Sequence, residues 1–361
     1  ELYVRAIEQA TFGPIVRFNA PRGRYYRKEP WRWNAKTIEI VSRFLKLRHR
    51  LIPYLYTLAY NYHKKGDLVI KPLTYKYPWV YDDSTYKYEY LLGDNILVSP
   101  IITKKDTLIN RTIHRVFIPE GIWYDFITGK KFPGNKEYIS FYRDEDYPIF
   151  IRRGGIIPLT NDKENLNSVD NPKSLEIHIF PGESNTFNLY EDKDDNEDKH
   201  LITQIDYNYL PSNYTVIIRN LEGDRGVVSD KRNYKIRFRN TKQADNIICY
   251  FNDSQIKTIS YVDDSDFIVE INDVPSIGQV TLNCKGKDIE IDAMRFINDD
   301  IDSILLDLPI NTVLKEQISS IMFSNLPIKR KRIEIRKLKK YNLGREYIRL
   351  FLKLLEYIGT I

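Results

Sequence analysis

The chain reads as an α+β, multidomain protein, and three observations predict it. Its 361 residues are too many for one ordinary core. The first 65 run helix, short β-prone segment, polar loop and long helix, which is the order of a (β/α) unit. From Leu68 to about Lys287 the pattern changes to short β-branched and aromatic runs broken by Gly and Pro, and after that it returns to helical spacing.

Composition narrows the function classes. With 42% hydrophobic and 29% charged residues, and no apolar run long enough to cross a bilayer, no membrane role is expected. Tyrosine is abundant, at 27 residues against 16 Phe and 4 Trp. Its apolar ring and polar tip suit half-buried sheet faces and sugar-facing surfaces. The formal charge is +6, but residues 327–361 hold eleven Lys or Arg against three Glu. The rest is therefore slightly acidic, and no nucleic-acid partner is expected. Cys249 and Cys284, without CxxC spacing, fit a reducing compartment, and a cytoplasmic location is expected. The five histidines form no ligand-spaced cluster, so neither a metal nor a cofactor is expected. The sequence opens at Glu1 inside what reads as a helix already under way, with no signal peptide, and is expected to be a fragment.

Each element has its own signal. Leu2, Tyr3, Ala6, Ile7 and Ala10 recur at helical spacing until Gly13–Pro14 stops them. Ile15–Phe18 is a short β-prone run, followed by the polar loop NAPRGRYYRKEPWRWN. A long helix is predicted from about Ala35 to Lys65, with Phe44, Leu51, Leu55, Leu58 and Tyr62 among its buried residues. Pro53 should kink or split it, and Gly66 should end it. Only about one and a half (β/α) units are present, so no closed barrel is predicted. Runs such as LLGDNILVSPI and IFIRRGGIIPL then describe an antiparallel sandwich ending near Leu159, followed by a polar linker at 160–173. A second set, from LEIHIFPG to GQVTLNCKG, describes a second β-domain, and the acidic stretch 191–199 within it reads as a solvated turn. In the tail, MRFINDDIDSILLDL, NTVLKEQISSIMF and REYIRLFLKLLEYIGTI are helical. The basic run KRKRIEIRKLKK between the last two reads as a solvated helix or strand face, and the final segment should dock on the distal β-domain or on a partner.

The ordered series ELYVRAIEQATFGPIVRFNAPRG, EPWRW, LRHRLIPYLYTLAYNYHKKGDLVIKPL, LLGDNILVSPI, FIPEGIWYDFITGKKF and FIRRGGIIPL resembles glycoside hydrolase family 31 of the α-glucosidase and α-xylosidase type. The resemblance covers about 160 residues, and LEIHIFPGESNTFNLYED is similar to that family's distal β-domain. It implies the C-terminal end of a (β/α)8 barrel, two antiparallel β-sandwich domains and a short helical tail. The expected domains are 1–65, the barrel end; 66–160, the proximal sandwich; 161–290, the distal β-domain; and 291–361, a helical basic extension.

The resemblance further implies a retaining α-glycosidase acting on an oligosaccharide or small α-glycoside. Its two catalytic aspartates would lie upstream of Glu1, so no catalytic residue is assigned in this chain. Glu29, Asp94 and Asp125 read as a loop anchor and strand-end hydrogen-bonding groups. Ile15–Phe18 would be the eighth barrel strand, ending at Asn19, where the family usually has a sugar-binding histidine. Asn can donate and accept, so Asn19 is assigned to substrate binding beside its reading as a loop cap. Trp31 is assigned to the substrate side as an aromatic wall, with Trp33 near it, beside the reading that both pack on the long helix. Arg17 is expected to be a buried structural partner. A non-catalytic carbohydrate-binding or interaction protein of β-sandwiches is the alternative function, and a nucleic-acid-binding tail a third reading.

Overall fold

In a computed structural model, residues 1–161, 169–193 and 196–358 are described. The fold is mixed helix and sheet, and no closed barrel forms among the described residues. Residues 162–168 of the linker expected at 160–173, the tip of the acidic stretch at 194–195 and the last three residues lie outside the described set.

The N-terminal helices follow the sequence pattern with two corrections. Helix α1 spans Leu2–Thr11 and buries Val4, Ile7 and Thr11. The long helix is two helices, α2 at Ala35–Arg50 and α3 at Ile52–Lys65, parted at Leu51. Asn34 caps α2 by accepting from the Thr37 N–H, and Gly66 (φ 73°) closes α3 in the left-handed conformation. Pro53 sits in the first turn of α3, where its missing N–H costs no helical bond. The restart moves the apolar stripe: Tyr54 and Thr57 are buried, whereas Tyr62 is exposed. The run Ile15–Phe18 is not a strand. A ladder needs a partner, and no described strand pairs with these residues, so they stay irregular.

Four sheets follow. Strands Ile70–Pro72, Tyr90–Leu92, Ile96–Val98, Ile149–Arg152, Ile122–Asp125 and Lys131–Pro133 lie in that spatial order, all antiparallel. Thr112–Ile118 and Lys136–Tyr142 form a separate two-stranded ladder. The third sheet orders Ile259–Asp263, Asp266–Pro275, Lys231–Phe238, Ser174–Ile179 and Ile156–Thr160. The fourth runs Asn185–Lys193, Asn196–Leu210, Asn213–Gly223, Gln279–Lys285, Asn246–Phe251 and Ser254–Ile256.

The third sheet corrects the sequence reading twice. Ile156–Thr160, expected to close the proximal sandwich, pairs instead with Ser174–Ile179, so the boundary drawn at residue 160 cuts through a sheet. Ser174–Ile179 also pairs in parallel with Lys231–Phe238, so the distal region is not purely antiparallel. Hydrophobic spacing announces a strand but not its partner across some fifty intervening residues.

One apolar core joins α1–α3 to both β regions, from Val4 through Ile151 and Leu175 to Leu282. Buried ion pairs stitch the same seam. Glu176 accepts from Arg50 of α2 (2.9 Å), from Arg237 (2.8 Å) and from His178 (3.0 Å). Arg237 also reaches Asp263 and Asp266, and Arg239 joins Asp266 to the carbonyl of Phe126, each within 3.0 Å. Beside it, Asn240 donates to the carbonyl of Gly129 (φ 72°), where an added Cβ would meet Asn240 Oδ1 at 2.6 Å. Only glycine fits that turn. Further along, Arg232 and Glu191 form a fully buried two-pronged pair, with Arg232 also donating to the carbonyl of Pro172.

The tail forms α4 (Ile297–Asp307), α5 (Thr312–Met322), α6 (Ile328–Lys337) and α7 (Arg345–Leu354). It has its own core, including Ile301, Ile318, Ile335, Phe351 and Leu354, packed against Ile113, Ile139 and Phe141 of the two-stranded ladder. The final segment therefore joins a core that packs on the proximal region, not the distal one, with Tyr357 approaching Phe141 of the ladder at 6.2 Å. Arg111 and Arg143 both bind Asp307 (2.7 and 2.6 Å), and Arg295 binds Asp300. The basic run is helical in α6, with Lys329, Arg336, Lys339 and Lys340 exposed and Lys331 turned inward to the Met322 carbonyl.

The Arg232–Glu191 pair yields a two-sided prediction. Glu191→Ala leaves a buried guanidinium without its carboxylate and should cost about 3–5 kcal/mol in urea unfolding. The double change Glu191→Leu with Arg232→Met should recover most of that loss, because apolar residues of similar volume need no partner.

Candidate functional site

The segment between α1 and α2 carries the residues assigned to substrate. Gly13–Pro14 ends α1, and Arg48 of α2 holds the Pro14 carbonyl at 3.0 Å. Residues 15–29 then cross the surface as an open loop, and Pro30–Arg32 make one 3-10 turn before the Asn34 cap. The loop is fastened at one place. Tyr3 of α1 stacks on Trp33 (4.6 Å between centroids), approaches Phe18 at 6.3 Å and donates its hydroxyl to the Lys28 carbonyl at 2.7 Å. These contacts bring the two ends of the loop to one spot on α1.

Asn19 and Trp31 flank this aromatic clasp, one residue beyond Phe18 and two before Trp33. Asn19 is exposed, and Trp31 keeps 71% of its surface. Trp33 packs on Tyr3. Arg17, expected to be buried, is exposed. Without a strand at 15–18 there is no alternation to turn its side chain inward.

The acids do not assemble a catalytic pair here. Glu29 accepts from Arg27 at 3.2 Å, and its own backbone N–H and that guanidinium hold its carboxyl below the usual glutamate range. Asp94 is exposed and bound to Lys71 at 2.5 Å. Asp125 caps the turn after its strand, accepting from the N–H groups of Ile127 and Thr128 and from the Thr128 hydroxyl.

Two buried clusters escaped the sequence reading. Glu8 of α1 is fully buried beside Arg5 (2.9 Å), and burial pushes its carboxyl up to about 8. Arg5 spends its other bonds on the carbonyls of Arg143 and Asp146, so the pair seats α1 on that loop. Glu8 and Arg5 stand three apart in a helix, a spacing that permits the pair but carries no sign of its burial.

The second cluster is Glu89, Ser99 and His114. The Ser99 hydroxyl donates to Glu89 (2.9 Å) and lies 2.8 Å from His114 Nε2, which makes the imidazole the donor to Ser99. A nucleophile needs the reverse, a base that takes the serine proton, and all three residues are buried. The cluster is structural. A cleft of about 1460 Å³ between the α2–α3 pair and the distal strands includes neither Asn19 nor Trp31. Its polar lining is engaged: Asp192 accepts from Tyr56 and Tyr190, and Asn171 bridges the carbonyls of Asp192 and Val227.

A three-helix unit seated on β-sheets, with an open loop over its surface, is the arrangement that this geometry defines. Residues 1–58 match the TIM-barrel domain of glycosyl hydrolases family 31, and residues 66–157 match the C-terminal domain of the same family. These residues are thus similar to two consecutive domains of one family, glycosyl hydrolases family 31. The chain is similar to an alpha-xylosidase of Saccharolobus solfataricus, 31% identical over 195 residues, which are 53% of this chain and 25% of the relative. Alpha-glucosidase 2 of Bacillus thermoamyloliquefaciens is 33% identical over 195 residues, 53% of this chain and 24% of that protein. The chain thus spans about a quarter of the length of these curated relatives.

Solved structures extend the likeness of fold. A family 31 dextranase of Flavobacterium johnsoniae, complexed with glucose, superposes with a TM-score of 0.66 at 22% identity, over 79% of this chain and 37% of that one. A cycloalternan-forming enzyme from Listeria monocytogenes, in complex with a pentasaccharide substrate, gives 0.63 at 19% identity, over 79% and 28%. That coverage exceeds what residues 1–157 alone supply, so the shared fold reaches into the distal sheets.

His114 generates a prediction about pH. Burial pushes its imidazole down to about 4, against about 6.5 in an unfolded chain. On acidification the unfolded state therefore binds this proton first, and the stability that neutral His114 contributes is lost as pH falls from about 6.5 to 4. The loss should be roughly 3 kcal/mol, read as the difference in urea-unfolding free energy between the native chain and His114→Gln across that window. Equal pH slopes for the two proteins would refute it.

Proposed function

We propose that this chain is the C-terminal part of a retaining α-glycosidase that hydrolyses α-glucosides or α-xylosides in the cytoplasm. In this reading residues 1–65 complete a (β/α)8 barrel, two β regions brace it, and the two catalytic carboxylates belong to sequence upstream of Glu1. The carrying observation is the adjoining pair of family matches, barrel domain then C-terminal domain, in the order that a single enzyme requires. The alpha-xylosidase and alpha-glucosidase relatives support the substrate class.

The local chemistry fits the division of labour. Retention needs two carboxyl groups about 5–5.5 Å apart, one nucleophile and one acid/base whose pKa is raised. Residues 1–34 hold three glutamates and no aspartate. Glu8 is buried against the β region, Glu29 is held ionised beside Arg27, and Glu1 accepts from the Lys105 N–H. None is placed as an acid/base at the loop. Asn19 and Trp31 act instead as substrate contacts, Asn19 through its amide to a sugar hydroxyl and Trp31 by stacking on an apolar sugar face.

The test is turnover of p-nitrophenyl α-glucoside and α-xyloside by the product of the complete reading frame, with the first-formed anomer followed by NMR. Turnover with retention is expected, and none from the 361-residue chain alone. In the complete product, Asn19→Ala should raise KM by about tenfold, the loss of one hydrogen bond to substrate. An inverted product, or turnover by the isolated chain, would overturn the proposal.

A further inference from the structure

The stretch Leu73–Tyr88 places aromatic rings on the protein surface while anchoring the backbone beneath them. Leu73, Val80 and Tyr86 are buried in a core cluster with Val116, Ile118 and Trp123. Two 3-10 turns, Leu73–Tyr75 and Pro78–Tyr81, carry the exposed rings of Tyr75, Trp79 and Tyr81, while Tyr77 between them packs on Phe117. Tyr75 is 79% exposed, Trp79 48%, Tyr81 71% and Tyr88 51%. Trp79 is not loose: its ring meets Phe117 edge-on at 4.8 Å and Tyr86 at 6.4 Å. Lys87 lies over the Tyr88 ring at 4.9 Å, and an Asp83 side chain that accepts from the Thr85 N–H holds the turn before Tyr86.

Four large exposed aromatics fall within fourteen residues, a density that marks a binding surface. Polar groups run between the rings, with Lys76, Asp82 and Lys87 all exposed. Interface cores for protein partners are depleted of such charges. A sugar chain suits both halves of the pattern, since its C–H faces stack on rings and its hydroxyls pair with amines and carboxylates. Rings already fixed by packing lose little freedom on binding.

We propose that Tyr75, Trp79, Tyr81 and Tyr88 form a surface platform for an α-glucan chain, separate from the loop that carries Asn19 and Trp31. The platform tethers polymeric substrate to the protein and takes no part in bond cleavage. The choice of an α-linked glucan rests on the proposed function; the platform itself rests on the exposed rings.

The experiment is native gel electrophoresis of the full 361-residue chain through gels containing soluble starch or dextran. Retardation by at least one polymer is expected. Tyr75→Ala with Tyr81→Ala, two rings exposed enough to be removed without disturbing the core, should weaken apparent affinity at least fivefold. Trp79→Ala should do the same, with circular dichroism checking its fold. Tyr341→Ala, an exposed ring of the tail outside both sites, should leave retardation unchanged. Absence of retardation by either polymer would overturn the proposal, as would retardation that survives loss of the platform rings. A platform variant that changes only concentration-dependent self-association would overturn it too, pointing to a protein partner. Retardation requires no turnover, so failure of the glycosidase assay and failure of the platform are read separately.

Discussion

The structure turns on the buried carboxylate of Glu176. It sits where α2, the distal sheet and the turn at 126–129 converge, and its ligands come from different parts of the chain: Arg50, His178 and Arg237, with Lys235 at 3.5 Å. Burial opposes its charge, but the surrounding cations and the His178 N–H outweigh that penalty and hold the carboxyl far below the usual glutamate range. His178, itself pushed down by burial to about 4, is neutral and serves as a donor. The guanidiniums then carry the bond outward to Asp263 and Asp266. Apolar packing alone lets helices slide on a sheet, whereas this charge set has one satisfied arrangement.

Much of this fold was legible because it is periodic. α1, the helix start at Ala35, the Gly66 stop and most of the short β runs each carry a local signal that tertiary contacts did not overrule. Ile15–Phe18 shows the limit. Its β-branched pattern is real, but a strand is a property of two segments, and here the second is absent among the described residues. The same limit hid the parallel pairing of Ser174–Ile179 with Lys231–Phe238 and the placement of Ile156–Thr160 in the distal sheet.

The candidate site residues were read on a different basis. Asn19 and Trp31 were located by the order of segments around them, not by any chemistry of their own. The structure adds that Tyr3, Phe18 and Trp33 draw that loop together. The buried Glu8–Arg5 pair and the Glu89–Ser99–His114 cluster were invisible for a common reason. Their members are ordinary residues until burial strips away water, and burial of a polar side chain cannot be read from its neighbours in sequence.

Arg143 has a double employment with a wider consequence. Its guanidinium holds Asp307 of the helical tail, while its carbonyl receives Arg5 of the first helix. The tail lies beyond the family-matched residues, yet it grips the loop on which α1 is seated. Loss of Asp307 would free the guanidinium of the same residue whose carbonyl seats α1, so the tail and the first helix share one support.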